Sequence, residues 1–212
     1  MFASILSSDA QHALALLAPN PVIKNGYLAG GSALALWYGH RYSVDFDFFS
    51  DKPFDAYALN QQIKKLGVFH EELVREKTLL GTFNTIKFSY FYYPYPLLEK
   101  PEQFQGVSVA HPHDIAAMKL VAITDRGIKK DYVDLYELIH QGISLDTIFT
   151  LYEQKYHVLE SNRFTLVRAL QYFDEADQTE MPQMLASVSW NEVKQFFTKE
   201  LMRLGSSLLT KP

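Results

Sequence analysis

The sequence predicts an α+β fold, with a small mixed sheet in the first half of the chain and a helical region after it. Two patterns predict this. Between residues 27 and 110, short apolar runs are punctuated by Gly, Asn and Pro, as strands and turns are. From His113 onward the apolar residues recur at helical spacing instead. No internal repeat or low-complexity linker interrupts the chain, so the expected division is 1–110 and 111–212.

Taken in order, residues 7–17 read as a helix that stops before Pro19 and Pro21. Tyr27-Leu28-Ala29 reads as the end of a strand, and Gly30-Gly31 as a tight turn. Ser32 is the expected N-cap of a helix over 33–38, with Gly39 at the C′ position that ends it. The next strand places Val44, Phe46 and Phe48 on a core-facing row and Asp45 and Asp47 on the other. Pro53 is expected to start a helix whose inner side carries Tyr57, Ile63 and Leu66, with Gly67 ending it. Extended segments follow over 69–78, 80–83 and 85–93, with a turn at Asn84 and a stop at Pro94 and Pro96. Residues 107–110 read as a short edge strand. Helices are then expected over 113–124 and 131–140, with Gly127 and Gly142 as stops, and over about 146–156, 162–174 and 190–204. Ser189 and Glu192 form a capping box for the last, and the tail after Gly205 is expected to fray.

Composition narrows the function classes. The chain has 212 residues, 48% hydrophobic and 21% charged, which is ordinary for a globular protein with a real core. With no cysteine, disulfides, thiolate zinc sites and cysteine nucleophiles are excluded. A net charge of −4 argues against a broad nucleic-acid-binding surface but leaves room for a local basic patch. Residues 1–21 lack the basic start and long apolar run of a signal peptide, and no apolar stretch reaches membrane-spanning length, so a cytoplasmic protein is expected.

The chemistry concentrates in two places. Asp45 and Asp47 share one strand face, where two carboxylates repel unless a cation sits between them. Mg²⁺ suits such a pair, since it takes oxygen ligands and leaves room for substrate phosphates. The glycine turn before them opens a helix N-terminus, which favours phosphate. The second place is Lys119, four residues from both Ile115 and Ile123 and therefore on an apolar helix face, where a cation needs a partner. Asp131 and Asp134 share one side of the following helix, with Arg126, Lys129 and Lys130 at the junction. This set reads either as a phosphate-binding lysine steadied by a carboxylate or as a structural ion pair joining two helices. His40 and Arg41, just before the acidic strand, are placed to meet a polyanion. The run His111-Pro112-His113-Asp114 has metal-like composition, but Pro112 breaks its geometry, and Asp114 is expected to cap the next helix. The aromatics of 90–95 read as packing rather than as base-stacking residues.

Gly30-Gly31-Ser32-Ala33-Leu34-Ala35-Leu36, Gly39-His40-Arg41 and Ser43-Val44-Asp45-Phe46-Asp47-Phe48-Phe49-Ser50 resemble the AbiEii/AbiGii toxin family of nucleotidyltransferases. Asp114-Ile115-Ala116-Ala117-Met118-Lys119-Leu120 and Lys130-Asp131-Tyr132-Val133-Asp134-Leu135 are similar to that family's second signature. The resemblance implies a DNA-polymerase-β-like nucleotidyltransferase core, completed by the helical region, in a toxin of a type IV toxin–antitoxin system with phage-defence roles. It implies that Gly30, Gly31 and Ser32 hold a nucleoside triphosphate, with Lys119 and Arg126 contributing. Asp45 and Asp47 would hold Mg²⁺, Lys119 and Asp131 would be catalytic, and tRNA and a cognate antitoxin are the implied acceptor and partner. One departure stands out: polymerase-β-like enzymes carry a third carboxylate on a later strand, and the residue expected there is Ser89. That departure keeps open a degenerate protein that binds nucleotide or a partner without turnover. A haloacid-dehalogenase-like phosphatase also uses Asp-x-Asp, but here Phe48 follows the motif and the glycines precede it.

Overall fold

The computed structural model describes residues 1–157 and 163–209, with side chains described to residue 204. The chain divides into two compact units, Met1–Ile115 and Ala116–Pro212.

The first unit runs, after a short 3-10 turn, α1 (Ser8–Leu17), α2 (Pro21–Lys24), β1 (Tyr27–Ala29), α3 (Gly30–Tyr38), β2 (Phe46–Ser50) and α4 (Ala56–Lys64). It continues β3 (Phe69–Arg75), β4 (Thr78–Phe83), β5 (Ile86–Tyr92), β6 (Glu102–Phe104) and β7 (Val107–Val109). All seven strands form one mixed sheet in the order β3-β4-β5-β2-β1-β7-β6. β1 is antiparallel to β2 and parallel to β7, β2 is parallel to β5, and β3–β4–β5 is an antiparallel meander.

Local chemistry explains most element ends. Ser7 caps α1 through the Ala10 N–H, and Ala10, Ala13, Leu14 and Leu17 are its buried face. Gly39 closes α3 at φ +63°. Asn84 and Thr85 both hold positive φ, making the two-residue turn between β4 and β5. α4 departs from expectation: Asp55 accepts from the Tyr57 and Ala58 N–H groups, so the helix starts at Ala56 rather than Pro53. Its buried face is then Ala56, Leu59, Asn60 and Ile63; Tyr57 falls out of phase and is 64% exposed, and Leu66 lies beyond the last turn. The strand expected over 69–78 breaks at Lys77, which turns at φ +68° into β4. β7 is interior rather than an edge, because β6 pairs along its outer side. Phe46 and Phe48 are fully buried as expected, whereas Val44 precedes the strand and is 43% exposed.

α5 (Pro112–Asp125) crosses from the first unit into the second. The second continues with α6 (Lys129–His140), α7 (Leu145–Tyr156), α8 (Arg163–Leu170), α9 (Asp174–Asp177) and α10 (Trp190–Leu209). The start expected for α8 at Asn162 lies outside the described residues, as do residues 210–212 of the tail; α10 itself continues past Gly205 to Leu209. The capping box opens α10 as expected, with the Ser189 N–H donating to Glu192 Oε2 at 2.7 Å and the Glu192 N–H to Ser189 Oγ at 3.2 Å. Tyr132 centres the packing of this unit. Its ring meets Phe173, Trp190 and Phe197, and its hydroxyl donates to the Ala169 and Tyr172 carbonyls. Among the described residues no helix is long and apolar enough to cross a membrane.

Candidate active site

The acidic pair sits where β2 leaves its preceding loop. Asp45 is just outside the strand and Asp47 inside it, and both line one cleft of about 220 Å³. Two neighbours fix Asp47. Its parallel partner on β5 is Ser89, whose hydroxyl donates to Asp47 Oδ1 at 2.5 Å. Its antiparallel partner on β1 is Ala29, which brings the start of α3 against the carboxylate. Gly30 turns there at φ +71°, and a Cβ on it would lie 3.0 Å from Asp47 Oδ2. A side chain at Gly30 would thus be strained and would crowd the acid.

Ser32 does not cap α3 as expected. The strand runs straight into the helix through the glycine turn, so Gly30, Gly31 and Ser32 form the first turn and Ala29 takes the cap position, which offers no side-chain acceptor. Ser32 instead donates to the Asp45 carbonyl at 2.5 Å and bonds Ser43 Oγ at 2.9 Å, tying the loop before β2 to the helix. The first-turn N–H groups of α3 are therefore left to a ligand or solvent.

In the helical unit, Lys119 Nζ lies 3.0 Å from Asp131 Oδ1 and 2.5 Å from Asp134 Oδ2. The lysine side chain is 5% exposed and both acids are fully buried. Arg126 clamps Asp131 from the other side, with Nε donating to Oδ2 at 2.9 Å and an Nη to Oδ1 at 3.0 Å. Burial alone would raise the Asp131 pKa, but the charges of Lys119 and Arg126 outweigh it and hold the carboxyl below its usual value. The expected pairing of Lys119 with Asp131 is present, and Asp134 joins it. Lys129 turns elsewhere, donating to the Thr179 carbonyl at 2.6 Å.

Several weaker expectations change. His40 and Arg41 are each only 4% exposed, and Arg41 donates to the Tyr42 carbonyl at 3.1 Å, so neither presents a free cation to a polyanion. Asp114 lies inside the first turn of α5 rather than before it and accepts from the Leu98 and Glu99 N–H groups, holding the preceding loop, while His111 Nδ1 accepts from the His113 N–H. No group of three or more His, Asp or Glu able to hold a metal occurs among the described residues. Tyr90 is fully buried and donates to the Val22 carbonyl, and Phe91 packs on Phe49, so the aromatic run begins as core.

Two cleft residues escaped the sequence reading, Glu72 and Lys87. Lys87 is two residues before Ser89 on β5 and so shares its face. Glu72 sits at a bulge, where the β3–β4 register shifts between Glu71 and Leu73. The only sequence trace of that bulge is Gly81 inside the facing strand, where a Cβ would come 2.4 Å from the His70 carbonyl.

Solved structures share this architecture. MenT4, a nucleotidyltransferase toxin from Mycobacterium tuberculosis H37Rv, matches with a TM-score of 0.57 at 17% identity, over 91% of this chain and 81% of that one. JHP933 from Helicobacter pylori matches with a TM-score of 0.52 at 20% identity, over 96% and 97% of the two chains. The fold is that of the nucleotidyltransferases. The family model for the nucleotidyl transferase AbiEii toxin of type IV toxin–antitoxin systems matches residues 14–94 and 89–202. An uncharacterized protein of Aquifex aeolicus (strain VF5), aq_aa25, is 38% identical over 201 residues, spanning 92% of this chain and 96% of its own. The chain belongs to the AbiEii nucleotidyltransferase toxin family.

Proposed function

We propose that this protein is a Mg²⁺-dependent nucleotidyltransferase toxin that moves a nucleotide from a nucleoside triphosphate to an acceptor, with tRNA the candidate acceptor and a cognate antitoxin its partner. The observation that carries this reading is the cleft where Asp45 and Asp47 lie together with Asp47 against Gly30 at the uncapped start of α3. The residues fit Mg²⁺: the donors are carboxylate oxygens, and a pair without a third acid suits an ion that completes its shell with phosphates and water. An ion held by Asp45 and Asp47 would supply neutralisation of the charge that develops at the α-phosphate during in-line attack.

The chain's own residues do the rest. Asp45 and Asp47 hold the ion, and Ser89 fixes the Asp47 rotamer through its 2.5 Å hydrogen bond. The N–H groups of Gly30, Gly31 and Ser32 face the triphosphate, where the positive end of α3 favours an anion. By the resemblance Lys119 and Arg126 are candidates for the nucleotide, and both are held by acids, Lys119 by Asp131 and Asp134 and Arg126 by Asp131. Asp131 is fully buried between two cations, which suits orienting them better than accepting a proton.

A second reading is favoured by Ser89. A hydroxyl in the position expected for a third carboxylate is consistent with a protein that binds nucleotide without turnover. The two readings separate on incubation with each α-labelled nucleoside triphosphate, Mg²⁺ and total cell RNA. Transfer of label with pyrophosphate release supports the enzyme; nucleotide binding without release supports the binder. Asp47→Ala should lower transfer roughly a thousandfold, the several kcal/mol expected for a lost metal ligand, while thermal stability holds or rises as like-charge repulsion is relieved. Unchanged transfer in this variant would remove Asp47 from the mechanism.

A further inference from the structure

We infer that the free edge of β3, with the flank of α4 beside it, is the surface through which two copies of this chain pair. The surface lies wholly within the first unit, and its use is independent of the nucleotidyl-transfer reading.

β3 ends the sheet, so only its β4 side joins a ladder among the described residues. The strand is seven residues long and contains no proline, which leaves its outer N–H and C=O groups able to pair. α4 packs against β3 and β4. Its stripe Tyr57, Asn60, Gln61 and Lys64, spaced i, i+3, i+4 and i+7, forms a groove of about 500 Å³ along Leu73 and Val74 of the edge strand. Tyr57 and Val68 are the most exposed large apolar side chains of the first unit, at 64% and 62%; one lines this groove and the other immediately precedes β3. Asn60 is 4% exposed; its Nδ2 donates to Glu71 Oε2 at 2.5 Å, but its Oδ1 accepts from no described residue. A buried acceptor is ordinarily bonded, and the groove that Asn60 lines is open to a donor from an added chain.

The charges select a like copy as the occupant. Glu71 and Glu72 lie in the middle of β3 and Arg75 at its end. Lys64 neutralises Glu71 at 2.6 Å, and Glu76 and Lys77 beyond the strand lie 3.8 Å from each other. Glu72 and Arg75 are both exposed, and neither has an ion-pair partner among the described residues. A second copy running antiparallel reverses the order, so that Arg75 of each chain comes to the Glu72 end of the other. One two-fold axis makes this match twice. A copy running parallel in register would set like charges opposite each other, which is unfavourable. Charges and a bulge commonly guard an edge against stray strands. Here the guard admits a reversed copy, and three regularly paired residues remain on each side of the bulge, 69–71 and 73–75.

The helices fit the same arrangement. Antiparallel strands of one sheet are related by a two-fold axis perpendicular to it, which leaves both copies of α4 on one face. Neighbouring strands lie about 4.8 Å apart, so two helices that each lie over β3 and β4 come about 10 Å apart across the seam, the distance at which helices pack. Tyr57 and Gln61, exposed on the groove side of α4, are then the residues that meet the other helix.

The test is sedimentation velocity of the full chain from micromolar to near-millimolar concentration, for wild type, Arg75→Glu, Glu72→Arg and the double variant carrying both. Wild type should show a two-chain species that grows with concentration. Each single reversal should raise the dissociation constant about tenfold or more, because like charges then meet twice across the axis. The double variant should restore association, since the pair is exchanged rather than lost. Tyr57→Glu, on the other element of the surface, should also weaken association, and it carries the test if a strand variant melts early. Melting temperatures taken where the chain is monomeric should match wild type. A chain monomeric at every concentration would leave the groove to some other occupant and overturn the inference. A dimer indifferent to the single reversals and to Tyr57→Glu would place the contact elsewhere and overturn it too. So would single reversals that weaken association without rescue in the double variant.

Discussion

At the residue scale, the site depends on the absence of a side chain. Gly30 does two jobs: it holds φ at +71° and leaves room for Asp47 Oδ2, which would sit 3.0 Å from any Cβ there. Gly30→Ala should cost about 1–2 kcal/mol from the left-handed backbone alone. It should also push Asp47 off its hydrogen bond to Ser89, so transfer should fall by more than the stability loss explains. Thermal melts paired with the labelling assay check this, and a variant of wild-type activity would show that the close approach at Gly30 is not needed for function. Both glycines and both acids are legible in sequence. Ser32 is not read correctly there, because a serine after two glycines looks like a cap until the strand is seen to enter the helix without a loop.

At the element scale, Lys119 ties α5 to α6. It is flanked by two fully buried acids at 3.0 and 2.5 Å, so the ion pair is structural whatever else it does. Lys119→Met keeps the apolar stem but removes the cation shared by Asp134 and Asp131, leaving Arg126 on Asp131. Breaking such a buried pair costs about 3–5 kcal/mol. We expect a large drop in melting temperature at neutral pH, partly recovered under mild acid, where the acids can protonate. Nucleotide binding measured well below the melting point then separates the roles: a folded variant with unchanged affinity would remove Lys119 from the site. Helical spacing placed Lys119 on a buried face and the acids on one side of the next helix, which is why this cluster was legible. The β3 bulge was not, since period-two alternation carries no mark of an inserted residue.

At the scale of the whole molecule, buried ionisable groups set the pH range of the fold. Asp131 is held below its usual pKa, so the folded state binds its proton less well than the unfolded chain does. That contribution to stability is fully present above about pH 4, the unfolded value, and is lost as pH falls through the lower folded value. Burial pushes Tyr90 up to about 12 and also raises Tyr27 and Tyr132. Here the folded state keeps its protons longer, so stability is full below about pH 10 and declines as pH rises beyond it. Melting temperature against pH should therefore show a plateau with an acid shoulder and an alkaline one. Replacing Tyr90 by Phe should make the alkaline shoulder shallower, since Tyr27 and Tyr132 remain, and an unchanged slope would exclude Tyr90 as a contributor.

Although α2, β6 and α9 were not read from it, the sequence by itself determined the type of most elements, the start of the first helix near Ser7, the capping box at Ser189, the turn at Asn84, and the family motifs that carry Asp45 and Asp47. These rest on interactions between residues a few positions apart, which local pattern records. Only the tertiary structure decided that β7 is interior, that His40 and Arg41 are buried, that Ser89 bonds Asp47, and that Glu72 and Lys87 share a cleft with the acidic pair. Each of these depends on which strands become neighbours. Strand order is fixed by burial summed over the whole core, with Asp47 and Ser89 meeting across 42 positions of sequence, and no local window contains that sum.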